Sequence, residues 1–148
     1  HDIAAGVTML NRLFKDQRGA AAIEFALLGP TLVLMLFGLI ETGRLFWTQH
    51  TLDEVAYSTV RCMSISTQCD DQTAQQDFAI SRAGSYGITI AAADVAVQSN
   101  TTCKTFGSSN RVVIDAGFNS VMHNLVPQFP AVIEAEACFP SLAGAATP

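Results

Sequence analysis

Apolar residues along this 148-residue chain gather into one dominant run, AAAIEFALLGPTLVLMLFGLI, from Ala20 to Ile40. Coiled as an α-helix, these 21 residues cover about 31 Å, close to the hydrocarbon thickness of a bilayer. Eleven of them are Leu, Ile, Phe or Val, which together give about −3 to −7 kcal/mol of insertion free energy. Glu24 opposes insertion, but an acid costs on the order of 3 kcal/mol only at mid-membrane, and Glu24 lies one turn from the start of the run. The pattern predicts a transmembrane helix over 20–40. A cleaved secretory signal fits poorly: the apolar run is too long, and Glu41, Thr42 and Gly43 follow it in place of an A-x-A site. The segment is expected to stay attached as an anchor.

Past Ile40 the periodicity changes from continuous to amphipathic. Arg44, Phe46 and Trp47 form the charged and aromatic cluster that settles at headgroup level. Leu45, Leu52, Val55, Ala56 and Met63 then recur at helical spacings, against a polar face of Gln49, Asp53, Glu54, Ser58 and Arg61. With no proline between Glu41 and Ser64, the prediction is one helix of roughly 45 residues, half in lipid and half amphipathic. Pro30 removes one backbone hydrogen bond and, beside Gly29, is expected to bend or loosen the membrane half.

The polar stretch STQCDD reads as a turn, with Asp70 or Asp71 capping a second, short helix that runs to about Tyr86 and stops at Gly87. Three strands are predicted after it. Asp94–Ser99 places Val95 and Val97 on one face. Arg111–Phe118 alternates Val112, Ile114, Ala116 and Phe118 against Asp115 and Gly117, and Ala131–Phe139 alternates Ile133, Ala135, Ala137 and Phe139 against Glu134, Glu136 and Cys138. The simplest arrangement that buries these stripes is α+β: a long N-terminal helix packed on a small antiparallel sheet, with the short helix alongside. Residues 121–130, an apolar loop with two prolines, are expected to cover an edge of the core, and the AGAATP tail to fray.

Composition sharpens the membrane reading. The chain is 49 % apolar and only 14 % charged, an excess of grease that the single run explains. A formal charge of −5 with no basic face argues against nucleic-acid binding. Three cations, Arg12, Lys15 and Arg18, stand immediately before the run, so the positive-inside rule keeps residues 1–19 cytoplasmic as a leader and exports residues 41–148. Export decides how the four cysteines read, because they then meet an oxidising environment. Zinc is the competing reading, but no Cys-x-x-Cys pair occurs and the histidines are scattered.

Four cysteines allow three connectivities. Locality favours Cys62 with Cys69, across the turn that follows the long helix, and Cys103 with Cys138, stapling the sheet. No catalytic constellation is read: there is no G-x-S-x-G and no Walker loop, and His1, His50 and His123 lack a signature context. Asp70 and Asp71 read as a cap and a solvated turn before they read as calcium ligands, and the Asn100-Thr101-Thr102 sequon carries no weight. No cofactor and no metal is expected.

On its own, Glu24 reads as an acid snorkelling to the cytoplasmic interface. Its position five residues after Gly19, at the head of a membrane helix preceded by Lys15 and Arg18, is also that of a prepilin cleavage site. The stretch from Arg18 to Cys62 resembles the TadE-like pseudopilins of the tight-adherence (Tad, type IVc) pilus systems. The resemblance rests on Arg18-Gly19, the small residues Ala20 to Ala22, the Glu24-Phe25 pair, Pro30 and the Glu41-x-Gly43-Arg44 segment. A looser likeness extends to the cysteine layout and the ending Ala137-Cys138-Phe139-Pro140.

The resemblance implies a prepilin peptidase that cuts after Gly19, leaving Ala20 as the new terminus and Glu24 as its fifth residue. Glu24 could then neutralise its own or a neighbour's terminal ammonium. The implied partners are that peptidase, other pilins and pseudopilins, the inner-membrane Tad assembly platform and the membrane itself. The implied location is the bacterial inner membrane, single-pass, with the N-terminus cytoplasmic and the C-terminal domain periplasmic or incorporated in a pilus. Major Tad pilins are little more than the hydrophobic helix, so some 100 further residues favour a minor pilin or pseudopilin, with no enzymatic activity. The alternative is an uncleaved single-pass binding or adhesion module in which Glu24 is incidental.

Overall fold

The computed structural model describes residues 17–124 and 126–141, with the side chains of residues 17, 18, 20 and 106 left out. Most of the leader and the AGAATP tail lie outside the described residues. The fold is α+β, with a long apolar helix, a second helix and a three-stranded antiparallel sheet. The chain divides into two compact units, 1–40 and 41–148.

Helix α1 runs from Gln17 to Ile65 with Pro30 inside it. It therefore begins a turn earlier than the apolar run alone requires. In the first unit its side chains are uncovered by protein: Phe25 is 78 % exposed and Leu27 70 %. Such a surface is stable only against lipid or other apolar helices. Across Pro30, which donates no backbone bond, Thr31 turns its hydroxyl back to the Leu27 carbonyl at 3.3 Å.

The second unit starts with the amphipathic part of α1. Leu52, Val55, Ala56 and Val60 are fully buried, while Leu45 and Met63 pack on the margin of the same core. Helix α2, Gln72–Ser85, is started by Asp71, whose carboxylate accepts the Ala74 N–H at 2.8 Å. Gly87 ends it at φ +77°, a left-handed turn that only glycine takes without strain. On α2, Ala79 and Ala83 face the core. Gln76 ties the helix to the sheet region by donating to the Ala92 and Val95 carbonyls, both at 3.0 Å.

The sheet has the order β1-β2-β3, with β1 Val95–Cys103, β2 Phe106–Gly117 and β3 Val132–Pro140. Pairing of Val95 with Ile114, and of Ile114 with Ala135, puts the predicted apolar stripes on one face. Val112, Ile114, Ile133 and Ala135 are all buried there, and Ala116 and Ala137 belong to the same core. On the opposite face Arg111 Nε bonds Glu136 at 3.0 Å. Both β1 and β2 are longer than their alternation predicts. The extra turn-side residues pair irregularly, with register shifts between Gln98 and Thr101 and between Thr101 and Cys103, and Asn100 sits at φ 52°. Such bulges break the two-residue period by which a strand is recognised.

Candidate functional site

Two regions carry the polar determinants of this molecule. One is the head of α1. Gly19 and Glu24 are exposed, and nothing lies within 4 Å of where a Cβ on Gly19 would sit. The Gly19–Ala20 peptide bond falls in the first turn of α1. Ala20 and Glu24 are four residues apart in α1, about 6 Å along its axis. Between Asp16 and Glu41, Glu24 is the sole acid.

The other region is the first turn of α1 past the apolar run. Glu41 is only 5 % exposed. It receives Arg44 Nη1 at 2.7 Å and the Ser120 hydroxyl at 2.5 Å. The Ser120 bond, followed by Arg44, holds the Glu41 carboxyl below its ordinary range against the opposing effect of burial. The Arg44 guanidinium also lies 5.5 Å from the centre of the Phe118 ring, and Phe129 packs on Phe118 at 6.2 Å between ring centres. A buried acid with a cation and a hydroxyl thereby pins the segment after β2 to the helix. This cluster was not legible as a contact, since Ser120 is 79 residues away. The opposite charges of Glu41 and Arg44 at i,i+3 were its one visible signal.

At the far end of the domain, Cys62 bonds Cys69 with Cα atoms 5.8 Å apart, and Cys103 bonds Cys138 with Cα atoms 6.2 Å apart. Glu136 lies beside the second bond, but its two sulfurs are engaged with each other, so the trio offers no thiolate to a cation. His50 is exposed, and His123 places Nδ1 3.1 Å from the Phe129 carbonyl oxygen. His1 lies outside the described residues. Asp70 is exposed beside the helix-capping Asp71. Phe25, Gly29 and Pro30 all sit in α1, where the Phe25 ring lies 3.9 Å from where a Cβ on Gly29 would sit.

One long apolar helix followed by a disulfide-bonded α+β domain is consistent with a single-pass membrane-anchored protein. More particularly, the family model described as TadE-like protein matches residues 19–61, which is the helix from Gly19 to the last residue before Cys62. The match covers less than a third of the chain and leaves the sheet and α2 outside it. It suggests a protein associated with Tad pili. No curated protein and no solved structure matches the chain significantly.

Proposed function

We propose that the chain is a processed minor pilin or pseudopilin that acts in assembly or initiation of a Tad-type adhesive pilus. A prepilin peptidase cuts after Gly19, and the anchor helix is the assembly surface. The domain stands on the periplasmic side of a bacterial inner membrane until the subunit enters a pilus or an initiating complex. Other pilins and the Tad assembly platform are its partners.

The observation that carries this reading is the placement of Glu24, the lone acid in the apolar and uncovered 20–40 segment of α1, one turn beyond Gly19-Ala20. Removing the leader makes the chain one charge more negative and creates an ammonium at Ala20. Two unit charges about 4 Å apart attract by about 4 kcal/mol at an effective dielectric of 20, before desolvation is counted. The energy is larger in a drier site, which is why a terminus and a carboxylate in lipid would pair rather than stay apart. Pairing within one subunit neutralises both groups. Pairing between subunits sets their axial register. Gly29 and Pro30 then supply a flexible point where the helix can bend as it leaves the bilayer.

Intact mass and N-terminal sequencing of protein from cells with and without the peptidase test the reading. The expected product starts at Ala20 only when the peptidase is present. A leader still attached in native membranes from cells containing the peptidase would instead favour a permanently anchored binding module. Glu24→Gln probes the mechanism: insertion should persist and assembly should fail, whereas unchanged assembly would refute the terminus pairing.

A further inference from the structure

The strands of the second unit run along the amphipathic part of α1, and three contacts fix their heights. Asn110 on β2 donates to Ser64 at 2.9 Å, the Phe118 ring just beyond β2 meets Arg44, and the Glu134 carbonyl on β3 receives Gln49 Nε2 at 3.0 Å. The lengths agree: Arg44 to Ser64 rises about 30 Å as helix, and Asn110 to Phe118 spans about 26 Å as strand. The described residues of the connection from β2 to β3, 118–124 and 126–131, are therefore at the Glu41 end of the domain. Their tether to Glu41 through Ser120 makes them level with the first residue after the apolar run.

This connection is chemically unlike a solvated loop. From Ala116 to Ile133 no residue carries a formal charge. Phe129 turns inward onto the core, but Val121 is 69 % exposed and Val126 and Val132 are exposed as well. On α1, at nearly the same height, Phe46 and Trp47 are also uncovered, Trp47 at 62 %. Uncharged, apolar side chains tethered to Glu41, at about the height of an exposed aromatic pair on another side of the helix, match what an interfacial membrane contact requires.

We infer that the connection between β2 and β3 makes a second membrane contact through Val121 and Val126, seated in the headgroup–acyl boundary of the phospholipid leaflet from which α1 emerges. The inference rests on 20–40 being the membrane span. Its occupant is a lipid surface because the loop is anchored on Glu41, the first residue after that span. The contact holds the domain at one attitude on the bilayer, and the loop must leave the lipid before a subunit can be extracted.

Depth-dependent quenching by lipids brominated on the acyl chain tests this in full-length protein reconstituted at high dilution in phosphatidylethanolamine–phosphatidylglycerol vesicles. With Trp47→Phe as background, the single reporters are Phe37→Trp, Val121→Trp, Val126→Trp and Ile65→Trp. These positions are exposed, Ile65 lies at the end of α1 far from Glu41, and retention of both disulfides by mass confirms folding. Val121→Trp and Val126→Trp should shift to shorter emission wavelength and lose about half their emission, while Ile65→Trp stays within about a tenth of its unquenched value.

Quenching of Phe37→Trp with no quenching at either loop position would leave the span standing and overturn the contact. Loss of quenching at Phe37→Trp would overturn the span reading itself. A loop reporter that is shielded without quenching, and only when protein is concentrated in the membrane, would show a second copy of the chain covering the loop and equally overturn the lipid contact.

Discussion

Asn110 offers the sharpest quantitative test of how the domain holds together. It occupies the core face of β2 beside Val112 and Ile114, is only 6 % exposed, and donates through Nδ2 to the Ser64 hydroxyl at 2.9 Å. Ser64, 4 % exposed, passes its own hydrogen to the Val60 carbonyl at 3.1 Å. The Asn110 carbonyl oxygen meanwhile accepts the Asn100 N–H at 3.2 Å, at the bulge in β1. One amide thus ties helix, central strand and edge strand together.

Removing either partner has unequal consequences. Ser64→Ala leaves a buried N–H donor with no acceptor, at a cost of about 1–3 kcal/mol. Asn110→Ala leaves Ser64 bonded to Val60 and lets water reach the exposed Asn100 amide, so it costs less, about 1–2 kcal/mol. The double variant should then be more stable than the two losses added together, with a coupling of about 1 kcal/mol. Urea unfolding of the four proteins in detergent micelles, with the folded fraction read by pulse proteolysis, measures each term. A coupling below about 0.3 kcal/mol would refute the tie as an energetic contact.

Leu52→Ala opens a cavity at a fully buried position and should cost about 2–5 kcal/mol in the same assay, whereas Phe25→Ala, on the uncovered anchor, should leave domain unfolding unchanged. The disulfides close sequence separations of 7 and 35 residues, so loop entropy predicts losses of about 2.5 kcal/mol for Cys62→Ser/Cys69→Ser and about 3.8 kcal/mol for Cys103→Ser/Cys138→Ser. Equal losses would refute that ordering. Glu41 and Glu136 both have carboxyls held below the ordinary value of 4.5, by Ser120 and Arg111 respectively. Their contribution is therefore complete above that value and is lost as pH falls through the lowered folded-state pKa. Ser120→Ala should destabilise at pH 7, and its deficit relative to wild type should shrink under acid; a deficit independent of pH would refute the Glu41 contact as its cause.

The one-dimensional pattern was sufficient wherever the physics is local. A continuous apolar run and then a helical stripe specify α1, because both depend only on which residues fall on which side of one helix. Asp71 and Gly87 bound α2 because a cap and a left-handed stop act on neighbouring backbone groups. Alternation in Arg111–Phe118 and Ala131–Phe139 shows one buried face each, and the residues of both stripes do meet in a single core. Even the bridge of Cys62 to Cys69 spans just one turn of chain.

Tertiary structure decided what those faces meet. Periodicity marks a side as buried but carries no height along the helix, so the contacts of Asn110 with Ser64 and of Ser120 with Glu41 appear only once β2 is laid beside α1. It also cannot separate Phe129 from Val121, both apolar in the same connection, one turned onto Phe118 and the other left outside. Burial there depends on where the strands end relative to Arg44, a distance set by packing across the domain. The chain order alone specifies the apolar helix; the fold alone brings an uncharged loop to Glu41.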